Sequence, residues 1–427
     1  MGRKSTYTEC TWPNPLLFPC VLYAVLLSLL ETVCPSVSTP QTTSRQPLTQ
    51  CPGWSLEWLA GEEIIRRPDD FWLQSATQSA LRTYCPELRT RLLTLHGPAD
   101  ERIVLTVQRM RFSAAHQVSA TAGGSTSRLD LRRRLLAPFD FPVLVLGQLL
   151  TSANYSSDGL TAYVARAGAD AGGKLLSGVG EALLQQSGCS ASALLLKDLL
   201  PEGHPAQHSL ATHGFHPLPV EAVMELPLRP HWHTLDDYLA DLTSKYRVRY
   251  RRARGKLAGL DRRWLPAPEA RQRRDELHAL YAQTGASASF NAVDLSPDYF
   301  GWLAEAGNVY GYFDGAGTLV GFTSSLPNGP VLHAHYLGFT DAARRDHHLY
   351  HNMLFDLLDE AITGGYTLLD YGRTAPEIKS SVGAEARAWG CWLRARSRVV
   401  NGLVPRFVPA VFERGEWVAR GPFRIQR

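Results

Sequence analysis

The feature that most constrains this chain is a series of short apolar segments in its second half, punctuated by turn signals and then by one long helix pattern. Val309–Phe313, Leu319–Ser325 and Val331–Gly338 each read as a buried strand. Asp314, Gly315 and Gly317 lie between the first two and mark a hairpin. The spacing then predicts a helix over 348–363, stopped by Gly364 and Gly365. A strand over Thr367–Tyr371, a short helix around 375–382 and a strand over Ala386–Arg394 follow. A helix between two apolar strands predicts an α/β domain with at least one parallel strand pair.

The same order recurs more faintly earlier. A strand is expected over Phe141–Gly147, a helix over 172–187, a strand over Ala193–Leu196, a short helix over 205–213 and a strand over Ala222–Leu228. Residues 54–95 carry helical spacing (Trp54, Leu56, Trp58, Leu59, then Phe71, Trp72, Leu81, Leu88, Leu92, Leu93), and Ile103–Val107 reads as a strand. A helix is predicted over Leu235–Leu257, with Thr234 as N-cap and Asp236 and Asp237 in its first turn. A strand at Arg263–Leu265 and helices at 268–283 and 296–305 complete the pattern. The expected organisation is a hydrophobic segment and linker at 1–52, an α/β domain at 53–229, a second at 230–400 and a tail at 401–427.

The 427 residues are 44% hydrophobic and 20% charged, which suits a globular protein with a large core. The net charge is +4, and its distribution says more than its size. Lys245, Arg247, Arg249, Arg251, Arg252, Arg254 and Lys256 put seven cations into twelve residues. Such a helix is either a solvated basic face or a contact for a phosphate-bearing substrate, tRNA or an anionic membrane surface. Four of the 7 cysteines fall within the first 51 residues and no CxxC pair occurs. The body therefore reads as reduced and cytoplasmic. Arg3 and Lys4 ahead of the apolar run Leu16–Leu30 resemble a signal or membrane anchor, which leaves membrane association through this segment open. A start read too far upstream and a folded helix are the other readings of the segment.

Several stretches resemble FemAB-like and BioF2-like members of the GNAT superfamily of N-acyltransferases. They are the predicted helix from Leu235 to Arg254, His335 to Gly338, Leu349 to Leu358, Leu369 to Thr374, and Glu377 to Ala384, which is similar to a closing Phe-Lys-x-x-x-Gly-Ala run with Ile378 in place of Phe. The resemblance covers about 230–400, and 95–230 only as an order of elements. It implies tandem GNAT-like α/β domains with mixed central sheets flanked by helices. It also implies transfer of an acyl group to an amine of a small molecule or cell-envelope precursor. The donor implied is acyl-CoA, acetyl-CoA for instance, or aminoacyl-tRNA. One departure stands out. The glycine-rich loop that cradles the CoA pyrophosphate in such enzymes is replaced by Thr340 to Tyr350, which contains no glycine. Arg344 and Arg345 there, with Asn352, are the candidates for holding the donor.

Acyl transfer needs an amine deprotonated, a carbonyl polarised and a leaving group protonated. Alternation puts His333 and His335 on one face of a strand as candidate bases, with Tyr336 on the other face. Asp370, Arg373, Thr374, Glu377 and Lys379 gather at the end of the 367–371 strand. There Asp370 is a candidate catalytic group, and Arg373, Thr374, Glu377 and Lys379 are candidate substrate contacts, Arg373 and Lys379 as binders of carboxylate or phosphate. Thr374 and Glu377 also fit a helix capping box. Tyr350 is a candidate acid for the leaving group, as the resemblance implies, and Arg249 and Arg252 are candidate substrate contacts. No P-loop, zinc spacing, Gly-x-Ser-x-Gly or Rossmann fingerprint occurs, so no metal is expected. The rival expectation is a non-catalytic protein of this fold that holds an anionic partner such as RNA, a lipid headgroup or a cell-wall precursor.

Overall fold

The computed structural model describes residues 45–59, 70–113, 140–186, 189–285, 293, 295–411 and 414–424. Of the segment and linker expected at 1–52, residues 1–44, with the apolar run Leu16–Leu30, lie outside the described residues, while 45–52 join the first half, with Leu48 and Cys51 in its core. The strands are β1 (Gln46–Pro47), β2 (Ser55–Trp58), β3 (Arg91–His96), β4 (Arg102–Ser113), β5 (Asp140–Leu146), β6 (Ser157–Asp158), β7 (Ala193–Pro201) and β8 (His216–Leu218). They continue with β9 (Val223–Pro227), β10 (Asp261–Trp264), β11 (Asn308–Phe313), β12 (Leu319–Asn328), β13 (Val331–Phe339), β14 (Leu368–Asp370), β15 (Glu385–Arg387) and β16 (Trp389–Ala395). The chain is α/β, with two mixed sheets in tandem flanked by helices.

The sheets share one plan. The first runs β1-β2-β3-β4-β5-β7-β16-β8, with β6 on β4, and the second runs β10-β11-β12-β13-β14-β9-β15. Each has an antiparallel meander that ends in one parallel pair, β5 with β7 and β13 with β14. The strand beside each parallel pair is exchanged. β16, late in the chain, lies between β7 and β8, and β9, from the earlier half, lies between β14 and β15.

The parallel pairs differ where it matters for a site. In the first sheet Val143–Leu146 pairs with Ala193–Leu196 up to the end of β5. In the second, β13 pairs with β14 only through Val331, Leu332 and His333, opposite Leu368, Leu369 and Asp370. β13 then runs on to Phe339 alone on that side. The sheet opens at its C-terminal end, where open α/β sheets bind ligands.

Several sequence expectations are corrected. Among the described residues of the helical run at 54–95, only Ser75–Tyr84 is an α-helix, with short 3-10 turns at Phe71–Leu73 and Pro86–Leu88 and strands β2 and β3 outside them. In β3 the four central residues are all buried, and a strand covered on both faces has no period-2 signature to read. The helix expected over 235–257 is two helices, Leu235–Asp241 and Ser244–Lys256. Leu242 is extended and bridges to Phe423, and Thr243 donates to the Pro422 carbonyl, so a distant segment sets the break. The loop expected at 340–348 contains a short helix, Asp341–Asp346, capped by Thr340. A helix over Arg398–Val411 lies mostly in the expected tail and contains Pro405 and Pro409.

One core cluster joins the halves. Phe71, Trp72, Leu81, Cys85 and Leu88 pack with Leu277, Tyr299, Trp302 and Phe322 of the second sheet and its helices. Trp72 is fully buried, its ring 6.3 Å from His333 and 5.6 Å from His335. Replacing Trp72 by alanine should cost about 3–5 kcal/mol, the usual loss for a large core aromatic. Urea unfolding should show it as a lower midpoint.

Candidate functional site

A cavity of about 800 Å³ lies where the elements after β13 and β14 approach each other. His348 and His351 line it from the start of the Leu349–Thr363 helix. Ala375, Pro376, Glu377, Ile378 and Ser381 line it from the Pro376–Ser381 helix and its entry, and Arg249 and Arg252 line it from the basic helix. Trp417 and Arg420 close it from the C-terminal segment. Its size falls in the range of small-molecule sites.

The cavity is positively charged. Arg249 and Arg252 are exposed and form no ion pair among the described residues. Glu377 is engaged by Arg420. Burial lowers the His351 pKa to about 4, helped by His348 and by Arg249 and Arg254, so its ring is neutral at pH 7. The Leu349–Thr363 helix begins at the cavity without a side-chain cap, and its first turn adds the positive end of the helix dipole.

Backbone strain shapes the rim. His348, Thr374 and Ala375 have φ of 47°, 69° and 48°, a left-handed conformation that side chains resist. Lys379 holds the loop after β14. Its Nζ donates to the carbonyls of Tyr371, Gly372 and Arg373 at 2.7, 3.3 and 2.5 Å. Burial lowers its pKa to about 8, with Asp370 and Glu221 opposing. Lys379 is thus a clamp on the protein's own backbone, which corrects its expected role as a substrate contact. Arg373 is also turned inward. It donates to Asp198 of β7 and to the Glu221 carbonyl and ties one sheet to the other. The expected Thr374–Glu377 capping box is absent, because Ala375 occupies the cap position and Glu377 pairs with Arg420.

Of the expected catalytic residues, His333, His335 and Asp370 sit in the seam between the halves and Tyr350 lies within the second half, all outside the cavity lining. His333 Nδ1 is 3.1 Å from Asp370 Oδ2, and its Nε2 is 3.3 Å from Asn328 Nδ2. The Tyr155 ring stands edge-on at 4.4 Å. Asp370 faces His333 on one side and Glu225 on the other, and Glu225 faces Glu385 on β15. Four ionisable side chains therefore form a row on one face of the sheet, from buried His333 to exposed Glu385. Glu225, which the sequence did not single out, belongs to this row. Its pairing partner lies some 145 residues away, so no local signal marks it. Burial, and then the Asp370 carboxylate, raise its pKa to about 7.

His335 is partly buried, its Nε2 2.7 Å from the Tyr299 hydroxyl, and desolvation pushes its pKa well down. Tyr336 shares its face, packing on Tyr281 and Tyr299, which corrects the expected alternation. The register shifts between Thr323 and Ser325, and a bulge adds a residue and turns Tyr336 over. Tyr350 packs against Phe339, and burial raises its pKa, so its hydroxyl stays protonated. It does not line the cavity. Asn352 is wholly buried and donates to the carbonyls of Ala253, His347 and His348, which makes it a tie between helices and not a donor contact. Arg344 and Arg345 are exposed on the Asp341–Asp346 helix, Arg344 pairs with Asp341, and neither lines the cavity. Among the described residues no group of three or more metal-ligating side chains occurs.

Two outcomes follow. Arg373→Met leaves the Asp198 carboxylate with Lys197 at 2.7 Å as its remaining cation. The loss should be about 2–3 kcal/mol by urea unfolding, short of the cost of orphaning a buried charge altogether. Glu225 holds its proton more tightly folded than unfolded. The stability it contributes is complete below its ordinary pKa of 4.5 and is lost as pH rises through about 7. Glu225→Gln should flatten the wild-type decline in stability across that window, measured as the difference between the two proteins at each pH.

No family model matches the chain, and no curated protein matches it. Solved structures do. A crystal structure of FemX is 12% identical, with 79% of this chain and 96% of that chain covered at a TM-score of 0.49. L-PGS from Bacillus licheniformis is 13% identical, with coverage of 82% and 99% and a TM-score of 0.40. A GCN5-related N-acetyltransferase from Kribbella flavida is 14% identical, with coverage of 60% and 82% and a TM-score of 0.34. At these identities the likeness concerns the fold alone and says nothing of substrate.

Proposed function

We propose that the chain transfers an acyl group to an amine, with the donor's phosphates held in the cavity between the Leu349–Thr363 and Pro376–Ser381 helices. One observation carries this reading. β13 and β14 part after His333 and Asp370, and the segments that follow each strand line one cationic cavity. Arg249 and Arg252 bind the donor's phosphate groups, with the helix dipole behind them. The glycine-free rim makes the arginines, rather than wrapped backbone, the main anion contacts. Acyl-CoA is the first donor to test and aminoacyl-tRNA the second. The acceptor is an amine of a small molecule or envelope precursor.

The amine attacks the acyl carbonyl, the bond from that carbonyl to the donor's sulfur (or to the tRNA ribose oxygen) breaks, and the thiol or hydroxyl leaves with the proton the amine gives up. Among the described cysteines, Cys391 is buried with its thiol pushed up to about 12, by burial first and Asp198 second. It is no nucleophile at neutral pH. Asp370 and Asn328 engage the two ring nitrogens of His333, which fixes the ring where β13 and β14 part. Orientation of donor and amine in one cleft supplies much of the rate.

A second reading is a protein of the same fold that binds an anion without turnover. It is favoured by one fact: His333, His335, Tyr350 and Asp370 all lie outside the cavity lining. A thermal-shift titration with acetyl-CoA and longer acyl-CoAs separates the two, paired with mass detection of released CoA in the presence of amines. Ligand at a hundred times Kd should stabilise by about 2.7 kcal/mol. Arg249→Ala with Arg252→Ala should raise Kd about a hundredfold or more, since each charge-assisted contact contributes about 1.5–3 kcal/mol. A shift with tRNA and none with any CoA selects the aminoacyl donor. Binding without released product selects the non-catalytic reading.

A further inference from the structure

The seven cations of the Ser244–Lys256 helix fall into separate groups. Arg254 is spent on Asp356 at 2.6 Å, and Arg247 on the Leu242 carbonyl and the Ser244 hydroxyl. Arg249 and Arg252 face the cavity described above. Lys245, Arg251 and Lys256 are exposed and form no ion pair among the described residues. Arg251 also borders a second hollow of about 510 Å³ on another flank of the helix, with Arg247 and Arg424.

The helix has a defined outward side. Tyr246 and Ala253 are its buried residues and fix the inward side. At about 100° per residue, Arg251 and Val248 lie about 30° to either side of the point opposite, Arg252 and Lys245 follow about 40° and 60° beyond Val248, and Lys256, about 80° beyond it, stands at the edge. Val248 is 58% exposed, one of four large hydrophobic residues so exposed among the described residues. The helix is held firmly from behind by Asn352 on the Ala253 carbonyl and by the Arg254–Asp356 pair. The face is therefore preformed.

We propose that this face docks on an anionic membrane surface, with Val248 at the contact and Lys245, Arg251 and Lys256 against lipid headgroups. Charge complementarity selects an anionic partner. The aliphatic side chain at the summit favours lipid over nucleic acid, because it gains from burial at the headgroup boundary. Single-stranded nucleic acid binds on exposed aromatic platforms, and this face has none. Tyr246 is buried, and Tyr250 is half-buried with its ring packed against Phe355. The inference does not depend on acyl transfer.

Sedimentation of the full chain with phosphatidylcholine vesicles, with and without phosphatidylglycerol, tests it. Wild type should prefer the phosphatidylglycerol vesicles and be released by salt. Lys245→Glu with Arg251→Glu should weaken that binding by about 25-fold or more, at roughly a factor of five per cation lost. Arg82→Glu with Arg398→Glu makes the same change in net charge elsewhere on the exposed surface and should bind as wild type does. These side chains are exposed, so circular dichroism and the unfolding midpoint should stay unchanged. If the double variant fails to fold, Val248→Ser reads the same contact and should weaken binding in the same direction. Three results would overturn the proposal: no preference for phosphatidylglycerol, equal binding by wild type and the double variant, or a short single-stranded RNA that strips wild type from the vesicles and loses affinity for the double variant.

Discussion

Neither sheet is complete from its own half of the chain, and the rest of the structure follows from that constraint. β16 fills the gap between β7 and β8, and β9 fills the gap between β14 and β15. Pulling the halves apart would expose unpaired strand edges in both sheets, which is costly in water and an invitation to aggregate. The exchange therefore fixes the halves against each other. Trp72 is sealed in the shared core, and Arg373 reaches across to Asp198.

A seam held this tightly can carry polar groups that a loose one would hydrate. Asn328, His333, Asp370 and Glu225 sit side by side there, each with a named neighbour. Asp70, close by, is also affected. Burial raises its pKa to about 6, against the backbone N–H groups of Trp72 and Leu73 that lower it. Buried polar groups persist when their partners are in place. These partners come from strands far apart in sequence.

The same rigidity supports the strained rim of the cavity. Thr374 and Ala375 adopt left-handed backbone because Lys379 binds the three carbonyls just before them. Such strain persists only where surrounding contacts over-determine it. The result sets the start of the Pro376–Ser381 helix opposite the start of the Leu349–Thr363 helix, with the basic helix across the gap. Glu377 and His348 reach the cavity, whereas Asp370 and Arg373 are consumed in the seam and Lys379 in the loop after β14.

The α/β order, the strands at 309–338, the long helix after them and the density of cations at 245–256 were legible from local pattern alone. Each depends on neighbours within a turn or a hairpin, which short-range chemistry dictates. The break at Leu242, the swapped strands β9 and β16, and the place of Glu225 beside Asp370 were not legible. Each is set by a partner more than a hundred residues away. The candidate site divides in the same way. Residue type identified Arg249, Arg252, Glu377 and His333 as chemically capable. Only the folded chain decided which of them face an opening, because burial and pairing of a polar side chain depend on what packs over it. The sequence by itself determined the elements and the charge they carry. The tertiary structure decided which cations are spent on internal partners and which remain free for a ligand, since that depends on the carboxylates and carbonyls brought within reach.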